Sequence, residues 1–329
     1  MSLLFSEFRC CGLRLRNRLA MPPMATELAG PRGEVTPAHL EHYRARAEAG
    51  VGLIIVEHSF VAPEGRLSPR QLGAWDDALV PGLRELAQAI RAAGACAALQ
   101  ISHAGSLAQS RLTGAEPVGP SAVLHPRGKE VPRELSEVGL AGVARAFGQA
   151  ARRCREAGFD AVEVHGAHGF LLSQFLSPLT NRRSDAYGGG IDRRMRFPLE
   201  VVEEVRRAVG PDYPVFYRLG ADDRLPGGLA LDEAVKAAVA LERAGVGLLD
   251  VSGGLGGSRP EGVGPGYFLP LAAGVRAAVK VPVLNAGGLD DPEVAEAALR
   301  EGKADIIGVG RALLADPGWV ARARLVLGA

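Results

Sequence analysis

The chain has 329 residues, of which 47% are hydrophobic and 23% are charged, and its formal net charge at pH 7 is +1. Such a chain can bury a large core, lacks an apolar run long enough to cross a bilayer, and has no basic cluster that would attract nucleic acid or anionic lipid. We therefore expect a soluble cytoplasmic protein whose partner is a small molecule, not nucleic acid or a membrane.

The chain begins with a stretch, residues 3–17, that could form a hairpin. Short apolar runs then alternate with longer helical patterns, a βα rhythm that is typical of a parallel sheet. Eight runs are predicted as strands: Arg18–Met21, Gly52–Glu57, Cys96–Ser102, Ala161–His165, Val215–Leu219, Leu248–Ser252, Val281–Asn285 and Asp305–Gly308. Helices are predicted at about 37–49, 79–93, 136–157, 192–208, 230–244, 267–278, 291–301 and 316–326, with ends uncertain by roughly ±2–4 residues.

Eight strands, each followed by a helix, favour an α/β fold of the (β/α)8 TIM-barrel type formed by one domain, residues 1–329. A doubly wound sheet would show an early G-x-G-x-x-G turn, and none follows the first predicted strand. The irregular stretch 104–135 contains four prolines and exceeds an ordinary βα loop. We therefore predict that it forms a lid over the barrel mouth after the third strand.

Polar residues collect where the predicted strands end, which is the end that carries the active site in barrels. They are Gln100 and His103 after the third strand, His165 and His168 after the fourth, Arg218 in the fifth, Ser252 in the sixth, Asn285 in the seventh and Arg311 after the eighth. Glycine-rich turns follow the last two strands, and bare backbone N–H groups in such turns can approach a phosphate closely. A phosphorylated ligand is therefore predicted.

The pair His165 and His168 is the sharpest local signal, because two imidazole donors three residues apart at a strand end suit an anion or a carbonyl oxygen. A structural role would require separate buried partners for each ring. Zinc is not favoured, since no third ligand accompanies the pair at a suitable spacing. The four cysteines share no C-x-x-C spacing, so reduced structural thiols are expected rather than a metal cluster. Arg218 could also be half of a structural ion pair.

Several motifs together resemble the Old Yellow Enzyme group of flavin-dependent oxidoreductases. They are Asn17-Arg-Leu-Ala-Met-Pro-Pro-Met24, Val51-Gly-Leu-Ile-Ile-Val-Glu57, Gln100-Ile-Ser-His103-Ala-Gly, the segment from His165 to Tyr187-Gly-Gly, and Gly308-Val-Gly-Arg311. The likeness runs from about residue 3 to the end and looks closest to the flavin domain of 2-enoate and 2,4-dienoyl-CoA reductases and to short bacterial ene-reductases. Such relatives often associate, so a homo-oligomer is compatible with the resemblance.

The resemblance implies noncovalent FMN at the barrel mouth and NADH or NADPH as reductant. The cofactor-binding positions that it implies are Pro22, Pro23, Met24, Ala25, His58, Gln100, Arg218, Gly287, Gly288, Gly310 and Arg311. His165 and His168 would bind and polarise an activated alkene for hydride from flavin N5. The implied activity is FMN-dependent NAD(P)H oxidoreduction.

Three positions depart from the family pattern. In the family, a tyrosine usually follows the second histidine by two residues and gives a proton to the substrate. Here that position is Phe170, which would contact the substrate but has no proton to donate. Relatives often carry a cysteine at the position of Ala25. They often carry a tyrosine at the position of Glu27. Glu27 could act as a substitute acid if burial raises its pKa, could bind a cationic amine, or could pair with an arginine.

These departures leave rival functions open. With no tyrosine acid, the physiological reaction could be an oxidation, such as amine demethylation or α,β-desaturation. A non-catalytic flavin-binding module is also compatible with the motifs. A flavin-free barrel lyase is disfavoured because no lysine stands at a strand end to form a Schiff base.

Overall fold

The computed structural model describes residues 2–329, in which eight parallel strands close a barrel. A two-stranded antiparallel hairpin precedes the barrel, and a two-stranded parallel sheet lies outside it. The strands are β1 Phe8–Cys10, β2 Leu13–Leu15, β3 Leu19–Met21, β4 Leu53–Phe60, β5 Cys96–Ser102, β6 Val118–Gly119, β7 Arg133–Glu134, β8 Ala161–Gly166, β9 Val215–Gly220, β10 Leu248–Ser252, β11 Val283–Ala286 and β12 Ile306–Gly308. The predicted TIM barrel and its hairpin are confirmed.

The barrel order is β3, β4, β5, β8, β9, β10, β11 and β12, with β12 pairing back to β3. Every predicted barrel strand is present, with ends that differ by at most three residues. The helices are α1 Pro37–Glu48, α2 Val80–Ala92, α3 Ser110–Thr113, α4 Glu137–Glu156, α5 Leu171–Leu176, α6 Ile191–Arg194, α7 Arg196–Val209, α8 Leu231–Arg243, α9 Leu269–Arg276, α10 Pro292–Arg300, α11 Arg311–Ala315 and α12 Trp319–Leu327. Across residues 2–329, no helix combines the length and apolar character that a membrane crossing requires.

Side-chain alternation along the strands divides the core into two apolar regions. Residues such as Ile54, Leu99 and Val162 pack outward against the helices. Residues such as Leu53 and Phe216 fill the lower part of the barrel interior. The inward positions nearer the carboxyl ends of the strands are polar. Polar side chains therefore lie at the end of the barrel where active sites form.

The stretch predicted as a lid contains α3 and the small β6–β7 sheet and rests against the barrel mouth. Arg127 in this stretch donates hydrogen bonds to the carbonyl of His168 and, at 3.1 Å, to the carbonyl of Leu255. The lid is therefore tied to the loops that follow β8 and β10.

The N-terminal segment is fastened to α10 by one carboxylate. Glu296 accepts hydrogen bonds from the backbone N–H groups of Leu3 and Leu4, each at 2.9 Å, and from the Ser2 hydroxyl at 2.8 Å. The hairpin, which follows directly, covers the lower end of the barrel with Leu15 and Cys10. The carboxylate thus positions the segment that leads into this cover.

We expect Glu296→Ala to lower the free energy of unfolding by about 1–3 kcal/mol, because it leaves backbone donors at Leu3 and Leu4 without their partner. Urea denaturation measures the change. Glu293→Ala, an exposed carboxylate on the same helix, should cost about 0.5 kcal/mol or less. Equal losses in the two variants would contradict the tethering role.

Candidate active site

A cavity of about 290 Å³ opens at the carboxyl ends of the barrel strands. Seven of the predicted cofactor-binding residues line it: Pro22, Met24, Arg218, Gly287, Gly288, Gly310 and Arg311. Ser252, Ser258, Arg259 and Tyr267 also line it and were not predicted as cofactor contacts. Strands β3, β9, β10, β11 and β12 or the loops that follow them supply these residues. The barrel therefore brings together groups that are almost 300 residues apart in the chain.

The glycines of this cavity form a close backbone cradle. Gly288 has a φ of +67°, and a Cβ there would approach Tyr267 Cδ1 to 2.9 Å and the Gly266 nitrogen to 3.0 Å. A Cβ on Gly310 would lie 2.9 Å from Met24 Sδ. Because only glycine leaves this space open, with Arg311 beside it, the cavity fits a phosphate-bearing ligand such as FMN.

The other four predicted cofactor residues lie around the cavity rather than in its lining. Pro23 is buried and Ala25 is exposed. His58 Nδ1 is 2.8 Å from Gln71 Nε2, and Gln100 is buried inside the barrel, where it donates to Glu163 at 2.8 Å. One amide hydrogen of Gln100 is therefore bound to Glu163, a residue that the sequence analysis did not place in the site.

His165 and His168 meet at the end of β8, with ring centroids 5.2 Å apart. His168 has a φ of +55°, its backbone N–H donates to Gly253 at 2.9 Å, and its Nε2 lies 2.7 Å from Ser252 Oγ. His165 is 2% exposed, and its Nδ1 has no hydrogen-bond partner. The separate structural partners expected of a purely packed pair are therefore present for His168 but not for this nitrogen of His165.

Both imidazoles are held neutral. Burial lowers the pKa of His165 well below 6.5, and neighbouring His168 and Arg218 lower it further. Burial also lowers the pKa of His168 well below 6.5, although this residue keeps partial exposure, and Arg218 and Arg127 oppose its protonation as well. Each ring therefore offers one N–H donor and one acceptor rather than a positive charge.

Phe170 stands beside this pair, 6% exposed, with its ring centroid 4.3 Å from that of His165 and 5.2 Å from that of His58. The phenyl ring closes one side of the histidine pair with an apolar surface. It carries no hydroxyl, so this position cannot exchange a proton.

Glu27 lies at the surface of the protein. Its side chain is exposed, its backbone φ is +56°, and its Oε1 accepts a hydrogen bond from Ser68 Oγ at 2.7 Å. The burial on which a substitute-acid role depends is lacking, and the partner is a hydroxyl rather than an arginine. Its negative charge opposes the lowering of the His58 pKa that burial causes.

Arg218 contacts a buried carboxylate as well as the cavity. Its Nε lies 3.0 Å from Asp250 Oδ2, and the two side chains are 7% and 0% exposed. The structural ion pair that we considered for Arg218 is therefore present, while the same residue also lines the cavity. Asp250 and Glu163 were not predicted because an acidic residue within an apolar strand matches no motif. Each lies two residues before a predicted site residue, Ser252 or His165, and therefore on the same side of its strand.

The remaining histidines have structural settings. His39 is buried with its Nε2 3.2 Å from Glu57 Oε1, on the side of β4 that faces α1. His103 Nδ1 accepts from the Gly105 N–H at 3.0 Å, and His125 Nδ1 accepts from the Arg127 N–H at 3.0 Å. Burial lowers the pKa of His42 to about 4.

Comparison with known proteins identifies the family of the chain. The profile of the NADH:flavin oxidoreductase / NADH oxidase family matches residues 3–327. The chain is 44% identical over 328 residues to an NADH oxidase of Thermoanaerobacter brockii, covering 98% of this chain and 50% of that protein. It is 39% identical to an NADPH dehydrogenase of Halalkalibacterium halodurans, covering 99% and 95% of the two chains. A solved Old Yellow Enzyme homologue from Zymomonas mobilis superposes with a TM-score of 0.87 at 28% identity, covering 99% and 93%.

A barrel of this kind, with a glycine cradle and a histidine pair at its mouth, defines a class of flavin-dependent oxidoreductases. The chain belongs to the NADH:flavin oxidoreductase / NADH oxidase family, the Old Yellow Enzyme group, whose cofactor is FMN. It spans about half the length of the curated relatives that match it first.

We expect ¹⁵N NMR of the histidine rings to show His165 and His168 still neutral at a pH where an ordinary imidazole is protonated, because their pKa values lie well below 6.5. A polyhistidine tag that titrates near its ordinary pKa of about 6.5 gives an internal reference. The variants His165→Gln and His168→Gln assign the two signals. Protonation of either ring together with the tag would contradict the neutral donor pair.

Proposed function

We propose that residues 1–329 form one FMN-binding domain that catalyses NAD(P)H-dependent reduction of an activated alkene or a related acceptor. The observation that carries the proposal is the neutral His165/His168 pair beside a glycine-cradled cavity that Arg218 also lines. The family supports the flavin chemistry. The histidine pair supports the class of acceptor.

Pro22, Met24, Gly287, Gly288, Gly310 and Arg311 would hold FMN within the cavity, with Pro23, Ala25, His58 and Gln100 around it. When bound there, FMN would supply hydride transfer between NADH or NADPH and the acceptor. Arg218 contributes a fixed positive charge at the cavity wall, which favours a cofactor that gains negative charge on reduction.

His165 and His168 would bind the acceptor by donating hydrogen bonds to its carbonyl or nitro oxygen. The orientation of His168 is fixed before substrate arrives, because Ser252 contacts its ring and its backbone N–H donates to the Gly253 carbonyl. Donors that are already aimed at an oxygen stabilise the charge that develops there without reorganisation during the reaction. Phe170 would pack against the apolar part of the same substrate.

The proton for the substrate carbon would come from solvent at the cavity mouth, since Phe170 has none to give. Glu27, which is exposed and accepts a hydrogen bond from Ser68, would contact the substrate there or help relay the proton. In this proposal the histidine pair binds the substrate oxygen. The proton comes from solvent at the cavity mouth.

A second candidate follows from Phe170. An enzyme that oxidises its substrate, by amine demethylation or desaturation, needs no acid at this position. The exposed carboxylate of Glu27 would then attract a cationic amine or accept a proton.

The first test is anaerobic. The purified protein should release FMN on denaturation, lose flavin absorbance with NADH or NADPH, and be reoxidised by cyclohexenone or maleimide. His165→Ala and His168→Ala should each slow alkene reoxidation by about 10²-fold or more, because each removes a donor to the developing oxyanion. A protein that cannot take up FMN would end the proposal.

Two controls accompany the histidine variants. Reoxidation by ferricyanide, which needs no oxygen-binding donors, should remain within a factor of about two. His42→Gln, a histidine on α1 outside the cavity lining, should leave both reactions unchanged. If ferricyanide reoxidation slows as much as alkene reoxidation, the histidines act on the cofactor site rather than on the acceptor.

Phe170→Tyr separates the two candidate functions. If protonation already comes from the mouth, the wild-type protein reduces alkenes rapidly, and we expect this change to alter stopped-flow reoxidation by less than about tenfold. A slow wild-type reaction that the new hydroxyl accelerates by about 10²-fold would instead favour the oxidative function, because general acids contribute effects of that size.

A further inference from the structure

Two carboxyl groups and one guanidinium share the upper interior of the barrel. Glu163 on β8 and Asp250 on β10 are both 0% exposed, and Arg218 on β9 stands between their strands at 6% exposure. Burying one carboxylate costs several kcal/mol unless a cation compensates it, and here two carboxyl groups have one nearby cation. The free-energy cost of burying both carboxyl groups suggests that they have a function.

The strand register determines how these groups are arranged. Gln100 is level with Glu163, and Arg218 is level with both His165 and Asp250. Glu163 is two residues before His165, so it points to the same side of β8, one layer deeper. Glu163 therefore lies one layer below His165, and Asp250 lies beside Arg218 at the level of His165.

The hydrogen bonding of these groups is incomplete. Gln100 donates to Glu163 Oε1, but Glu163 Oε2 has no partner. Asp250 is in ion-pair contact with Arg218 at 3.0 Å, yet neither of its oxygens nor Arg218 Nε has an aligned hydrogen bond. Unsatisfied buried polar atoms of this kind are rare and point to a functional requirement.

We propose that Glu163 and Asp250 are positioning residues that act through Arg218 and set the net charge beneath the bound flavin. The proposal rests on the proposed function, because it requires FMN in the cavity that Arg218 lines. Asp250 partly neutralises the guanidinium, so the stabilisation of reduced FMN depends on the protonation of the pair. Glu163 holds the second exchangeable proton.

The direction of titration follows from burial. Burial raises the pKa of Glu163 from its ordinary 4.5, and nearby Asp250 raises it further. Burial also raises the pKa of Asp250 from 3.8, while Arg218 opposes that rise. Asp250 therefore ionises first and Glu163 later as the pH increases. The charge of the triad falls from positive through neutral to negative, and the reduced form of FMN loses stabilisation at each step.

Other titratable groups near the triad do not supply this response. His58, His165 and His168 have lowered pKa values and stay neutral, since burial disfavours their charged forms. Glu57 is directed to His39, Tyr43 and Thr26 instead. Gln100, on the facing strand, does not ionise.

The test is the midpoint potential of bound FMN in the holoenzyme, measured by anaerobic spectroelectrochemical titration between about pH 5 and pH 9. At neutral pH, Asp250→Asn should favour binding of reduced over oxidised FMN by about tenfold, a rise of about 30 mV for a two-electron couple. Glu163→Gln mimics the protonated acid. It should keep the neutral-pH potential and fall less steeply than wild type at alkaline pH, because only the proton uptake of flavin reduction itself remains.

Asp305→Asn is the matched control, because Asp305 pairs with Arg276 at 3.0 Å just before β12, at the opposite end of the barrel. Its potential should follow that of wild type at every pH. If Asp250→Asn does not fold, the alkaline profile of Glu163→Gln decides alone. FMN-loaded variants whose profiles coincide with wild type would overturn this inference but not the proposed function; a wild-type protein unable to bind FMN would remove both.

Discussion

Closure of eight parallel strands is the constraint on which the rest of the structure depends. A closed barrel has no free edge, so every strand directs alternate side chains inward. In this chain the inward positions are apolar at the lower end, as at Leu53 and Phe216, and polar toward the carboxyl ends. The same alternation that builds the core therefore delivers Gln100, Glu163, Arg218 and Asp250 to the base of the cofactor cavity.

Loops then complete the site above this polar layer. The turns after β11 and β12 supply glycines, and the turn after β8 supplies His168, next to His165 in the strand itself. Ser252 and Arg127 come from other parts of the chain and fix the turn around His168. The barrel strands thus position the charged residues and His165, whereas loop contacts position His168.

Much of this arrangement could be predicted from the sequence. The βα rhythm located all eight barrel strands, and the glycine turns with Arg311 predicted the cavity that the structure contains. These features depend on local patterns that repeat along the chain. Prediction was weaker for Glu27, whose exposure depends on how its loop passes Ser68.

The contacts that were not predicted join residues far apart in sequence. His168 and Ser252 are separated by 84 positions, and Gln100 and Glu163 by 63. Whether an acidic residue inside an apolar strand points into the barrel depends on register, which a single sequence does not reveal. The pairing of β8, β9 and β10 brings Glu163 and Asp250 to the two sides of Arg218.

The central claim is that His165 and His168 together bind the oxygen of an acceptor beside FMN. A crystal structure of the FMN-loaded protein with a carbonyl ligand tests it most directly. The account predicts the ligand oxygen within about 3.2 Å of a ring nitrogen of each histidine. A ligand held elsewhere in the cavity, or an oxygen that neither histidine contacts, would contradict it.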